Sequence, residues 1–207
     1  MNARDEILAR VRAAQATGYI PPSQAPDWKE SNARPDPAEL LERFCKELDA
    51  LGVASHVEAS DEDVRRRVAG LVEGKRVLAW DPAHLPYEVG RVLGTCSGSA
   101  SPRDEQAAAE IGVTGCAAAI ADTGSMVLLS GPGRSRAVSL LPPVHLGIVR
   151  RPDLRASLGD FLLGAPEALA GSASCTVVTG PSRTADIELT LTLGVHGPGT
   201  VIVVVGP

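Results

Sequence analysis

A chain of 207 residues with 44% hydrophobic and 22% charged residues has the size of one globular domain with room for an appended arm. A net charge of −5 excludes a general binder of nucleic-acid backbone, which carries a basic surface. The longest apolar run, residues 200–205, is too short to cross a membrane, and the polar N-terminus is unlike a secretory signal, so a cytoplasmic location is expected.

In chain order, residues 3–16 read as a short amphipathic helix with Ile7, Leu8 and Val11 on one side. Pro21, Pro22, Pro26, Pro35 and Pro37 then crowd a polar linker. Residues 1–35 are thus an arm that docks a partner or folds back on its own domain. The domain of residues 36–207 opens with Asp36 as N-cap, Pro37 at N1 and Glu39 completing a capping box. Leu40, Leu41, Phe44, Leu48 and Leu51 follow at helical spacing until Gly52 ends the helix. Next come a strand over 53–57, a helix capped by Ser60 and running to about 72, and a strand over 76–80.

Residues 84–94 are weakly helical, 95–102 form a small-residue loop, and 104–111 read as a helix. Apolar runs over 117–121 and 125–129 flank Asp122-Thr-Gly124, which predicts a hairpin because Gly124 tolerates positive φ. Gly131-Pro-Gly133 is a loop followed by Arg134 and Arg136. Strands over 145–149, 175–179 and 200–205, with a helix over 154–163, complete an α/β pattern.

Cys45, Cys96, Cys116 and Cys175 lack the short spacings of a zinc or iron–sulfur site, so no metal or cluster is expected in this chain and the thiols read as small buried hydrophobes. Dinucleotide, triphosphate-loop and nucleophile-elbow motifs are also missing. The polar candidates lie elsewhere. After the strand ending at Thr179, Gly180 lets backbone approach a ligand, and Ser182 or Thr184 can cap a following helical turn. Arg183 adds a cation there, and Asp186 and Glu188 add carboxylates. The same residues also suit a simple helix cap. His196, in Gly194-Val-His-Gly-Pro198, stands clear between glycines and suits proton transfer or anion binding, while His145 could face the same region. Thr123, Gly124 and Ser125 at the hairpin tip can present hydroxyl and N–H groups, although turn chemistry alone explains the Asp and the Gly.

Four stretches occur in order: residues 112–127, Leu141-Pro-Pro-Val-His145, Gly180-Pro-Ser-Arg-Thr-Ala-Asp-Ile-Glu188 and Gly194-Val-His-Gly-Pro198. Together they resemble the LUD domain of the lactate-utilisation protein C family, over roughly residues 36–207. The resemblance implies a Rossmann-like three-layer α/β sandwich similar to the sugar-isomerase and coenzyme-A-transferase fold. It also implies a non-redox subunit of a bacterial L-lactate-oxidising system whose iron–sulfur clusters sit in partner proteins, with a small carboxylate or other anion bound here. No catalytic residue follows from it. Two further readings stay open: a transferase or isomerase using Glu188, Asp122 or His196, and a sensing or scaffolding module docked through the arm.

Overall fold

The computed structural model describes residues 3–18, 36–185 and 191–207. The chain divides into two compact units, 1–33 and 34–207. In the first, α1 (Ala3–Thr17) carries Asp5 and Glu6 in its first turn, where carboxylates favour the helix N-terminus. Its Ile7, Leu8 and Val11 are exposed.

The second unit is a mixed α/β domain. Helix α2 (Pro37–Ala50) starts at Asp36, whose carboxylate accepts the Ala38 N–H at 2.9 Å, and buries Phe44 and Leu48. The expected return bond from Glu39 is absent from that cap. Strand β1 (Ala54–Val57) leads to α3 (Asp61–Val72), capped by Ser60 and buried through Val64, Val68 and Val72. Then come β2 (Val77–Ala79), two 3-10 segments, Pro82–His84 and Pro86–Val92, and β3 (Cys96–Ser97). Helix α4 (Arg103–Ala107) precedes β4 (Ile111–Thr114) and the hairpin β5 (Ala118–Ile120) and β6 (Ser125–Ser130). A 3-10 turn, Arg136–Ser139, leads to β7 (Val144–Arg150), another, Arg151–Asp153, to β8 (Leu154–Arg155). Helices α5 (Leu158–Gly164) and α6 (Pro166–Ala170), β9 (Ser174–Val178), β10 (Arg183–Ala185), β11 (Leu191–Leu193) and β12 (Thr200–Gly206) complete the order.

Six strands form one parallel sheet in the order β1-β12-β7-β4-β2-β3. A second sheet, β8-β5-β6-β9, packs on one face of it. The interlock is specific: Met126 of β6 fills the space above Gly147, and the Val138 carbonyl lies against Gly112. Register puts Gly112, Thr114, His145 and Gly147 on that same face, because paired residues share a side and alternate residues repeat it. The other side of the second sheet carries Ala118, Ile120, Val127 and Leu129, closed by Phe161 of α5. Tyr87 packs at Gly206, which is paired with Arg150, and so lies on the opposite face of the parallel sheet.

Several expected elements differ. The helix over 104–111 stops at Ala107, and Ile111 to Thr114 are fully buried as a central parallel strand. The helix over 154–163 begins only at Ser157, which forms a capping box with Asp160; Leu154 and Arg155 instead pair with β5. The loop over 95–102 contains edge strand β3. Residues after Thr179 enter an antiparallel hairpin, β10–β11, rather than a helical turn.

Candidate functional site

Ligands of open parallel sheets gather beyond the carboxyl ends of the strands, where neighbouring strands send their connections in opposite directions. Here β2 sends the chain outward to β3, while its neighbour β4 leads back towards β7. The gap between the ends of β2 and β4 is therefore the switch point. A cleft of about 300 Å³ opens there, lined by His84, Tyr87, Gly115, Cys116, Arg150 and Asp153 among others. Three loops supply them, following β2, β4 and β7.

Local sequence explains how the loops meet. A Cβ on Gly115 would stand 2.9 Å from the His84 carbonyl and 3.2 Å from Pro86 Cδ, so only glycine permits this approach. Tyr87 and Glu88 hold φ of 57° and 54°, a left-handed pair of non-glycine residues that costs on the order of 1 kcal/mol each. Tyr87 is fixed from both ends: its hydroxyl donates to Pro207 O at 2.7 Å, and Arg65 Nη1 donates to its carbonyl at 3.1 Å. Burial pushes its phenol up to about 12, so it stays protonated.

Arg150 is the fixed cation of the cleft. Its Nε donates to Asp153 Oδ2 at 2.7 Å and its Nη2 to Oδ1 at 2.8 Å. Asp153 is 8% exposed, and its hydrogen bonds raise the Arg150 pKa further. The Nη1 amine remains unengaged among the described residues, on a side chain that is half-exposed. Burial pushes the Cys116 thiol up to about 12, so it stands as a thiol and not as a nucleophilic thiolate. The arrangement can orient an anion on Arg150 beside the His84 imidazole.

Among the described residues, those singled out from sequence lie apart from this cleft. Thr123 Oγ1, Ser125 Oγ and Thr179 Oγ1 form a hydroxyl chain with links of 2.7 Å each. Gly124, at φ 62°, packs against the backbone of Glu47 and Leu48 of α2, and Asp122 meets Arg43 at 3.0 Å, outside hydrogen-bond alignment. Gly180, at φ 72°, lies over Leu51, and Arg183 Nη2 donates to Leu51 O at 2.7 Å, so this cation caps the C-terminus of α2. Ser182 is bound by backbone to the next turn: its N–H donates to Pro198 O at 2.9 Å and its carbonyl accepts from Gly194. That turn carries His196, which is exposed. Because it precedes β12, it lies at the amino edge of the parallel sheet, as the bond from Thr200 N–H to Pro143 O shows.

His145 joins neither group. It is 0% exposed inside β7, its Nε2 paired with Thr114 Oγ1 at 2.9 Å, and burial lowers its pKa to about 4. It is a neutral core histidine. Thr184 lies on β10, and Asp186 and Glu188 fall outside the described residues. Strand β9 did end in polar residues, but it belongs to the antiparallel sheet, where strand ends carry no switch-point crevice. Arg150 and Asp153 of this cleft were not singled out from sequence, although their charges follow directly after the buried run Leu146 to Val149.

Comparison with known proteins accords with the fold. The LUD domain family matches residues 97–205. Lactate utilization protein C of Geobacillus sp. (strain WCH70) is 36% identical over 94% of this chain and 92% of its own length. Uncharacterized protein YkgG of Escherichia coli (strain K12) is 33% identical over 78% of this chain. Lactate utilization protein C of Halalkalibacterium halodurans is 37% identical over 44% of it. The chain spans 41% of the length of the Halalkalibacterium protein and 65% of the Escherichia one. The crystal structure of a DUF162 family protein from Deinococcus radiodurans superposes with a TM-score of 0.66 at 21% identity, covering 84% of this chain and 100% of that one. The chain belongs to the LUD domain family.

Proposed function

We propose that this chain is a non-redox component of bacterial L-lactate utilization that binds a small carboxylate in the cleft at the carboxyl edge of its parallel sheet. The observation that carries the reading is Arg150, held by Asp153 with its Nη1 amine free at the switch point. A guanidinium positioned in this way takes a carboxylate with defined orientation. His84 on the same wall suits the neighbouring hydroxyl or keto oxygen of a 2-hydroxy or 2-oxo acid. The names of the relatives support the physiological setting. In this reading the iron–sulfur clusters belong to cytoplasmic partner proteins, and the fold stands with the sugar-isomerase and coenzyme-A-transferase group.

Two measurements test it. Calorimetric titration with pyruvate and L-lactate is expected to show binding that Arg150→Ala weakens by about tenfold or more. No binding of either acid overturns the carboxylate assignment. Gentle affinity purification from a lactate-grown host is expected to recover iron–sulfur proteins, and recovery of this chain alone overturns the partnership.

A further inference from the structure

The segment Gly131-Pro-Gly-Arg-Ser-Arg136 takes no part in the carboxylate reading, yet it is fastened beside the cleft. Asp81 N–H donates to Gly133 O at 2.9 Å, and Trp80 Nε1 donates to Ser135 O at 3.1 Å, which ties the loop to the residues that follow β2. Within the loop, Arg134 N–H donates to Gly131 O at 2.9 Å and Gly131 N–H donates back to Arg134 O at 3.3 Å. These bonds leave the N–H groups of Gly133, Ser135 and Arg136 without an acceptor among the described residues.

The cations are equally unspent. The Arg134 guanidinium lies over Gly131, where a Cβ would stand 3.1 Å from Nη2. Its Nε is buried with no hydrogen-bond partner, and neither Arg134 nor Arg136 pairs with a carboxylate among the described residues. A buried guanidinium donor without an acceptor is costly, and in a chain of net charge −5 an acidic partner was not scarce. The loop also touches the cleft wall. A Cβ on Gly133, which holds φ 70°, would lie 2.9 Å from the His84 ring and 2.7 Å from Asp81 Oδ2.

We propose that residues 131–136 form an anion subsite that takes the phosphate of a small organic phosphate whose body runs past His84 into the cleft. Free backbone N–H groups beside a glycine of positive φ form the kind of concavity that holds a tetrahedral oxyanion. A guanidinium fork alongside supplies paired charge-assisted bonds. The Asp81 carboxylate, which stands beside Gly133 together with the His84 ring, opposes the phosphate charge and limits affinity. The subsite shares no cation with the carboxylate assignment, although His84 borders both.

The test is titration of the full chain with inorganic phosphate at low ionic strength, followed by calorimetry and by amide chemical shifts. Shifts concentrated at Gly133, Ser135 and Arg136 are expected. Arg134→Gln is expected to weaken phosphate by about tenfold and Asp81→Asn to strengthen it. Unchanged phosphate affinity in Arg134→Gln, or shifts located elsewhere, overturns the proposal. If Arg134→Gln melts well below the parent, Arg134→Lys and the parent's amide shifts decide the matter in the same way. Pyruvate binding that is lost in Arg150→Ala and kept in Arg134→Gln bears on the carboxylate reading alone.

Discussion

Arg150 and Asp153 clasp one another across a single 3-10 turn, through two hydrogen bonds of 2.7 and 2.8 Å. The carboxylate is nearly buried while the guanidinium is about half-exposed, so the pair is asymmetric: removing the cation strands a buried anion, and removing the anion releases a mobile cation.

Asp153→Asn is therefore expected to cost about 1 kcal/mol of stability, discounted for the exposure of Arg150, and to reduce pyruvate affinity by loosening the guanidinium. Urea midpoints and calorimetry measure the two effects separately. An unchanged pyruvate affinity would mean that Arg150 needs no positioning.

His145 sets a pH dependence. Its folded pKa of about 4 lies below the ordinary 6.5, so below pH 6.5 the unfolded chain binds a proton that the folded chain refuses. The stability contributed by the neutral ring is full above pH 6.5 and is lost as pH falls towards 4, up to roughly 3 kcal/mol in all. His145→Gln, which can keep a bond to Thr114, is expected to show a shallower decline than the parent over that window. Parallel urea curves at several pH values measure the difference; identical slopes would place the proton elsewhere.

Two glycines of the parallel sheet predict different costs for the same added methyl. At Gly112 it meets the Val138 carbonyl, which is backbone, whereas at Gly147 it meets the flexible Met126 side chain. Gly112→Ala is expected to cost about 3 kcal/mol or more and Gly147→Ala about 1–2. Thermal melts of the two variants rank them, and a reversed order would contradict the packing described.

The hydroxyl chain through Ser125 is predicted to be structural. Ser125 is 1% exposed and bonds both Thr123 and Thr179, so Ser125→Ala is expected to cost about 1–2 kcal/mol and leave pyruvate affinity unchanged. A loss of pyruvate binding at full stability would return the site to this end of the molecule.

Much of the architecture is legible in the residues. The hairpin announces itself in Asp122-Thr-Gly124 between apolar runs, and β12 in its unbroken run of valine and isoleucine, because turn chemistry and two-sided burial leave local marks. Strand β8 leaves none: two residues become a strand only because β5 lies beside them. A helix read over 154–163 takes in Leu154, although Ser157 and Asp160 mark the true start. The cleft was less legible for a deeper reason. His84, Cys116 and Arg150 are far apart in the chain, and strand order alone unites them. Reading the polar residues after β9 as a switch-point site required knowing which sheet β9 joins.

The dispersal of the cleft over three connections has a consequence for dissection of the molecule. The segment that carries the family match, 97–205, contains Arg150 and Asp153 but lacks β2 and the wall built by His84 and Tyr87. A fragment cut to those limits would retain the cation without a pocket to present it. Under the proposed reading, ligand capture requires distant parts of the chain to have paired, and a bound small molecule would serve as a reporter of the finished sheet.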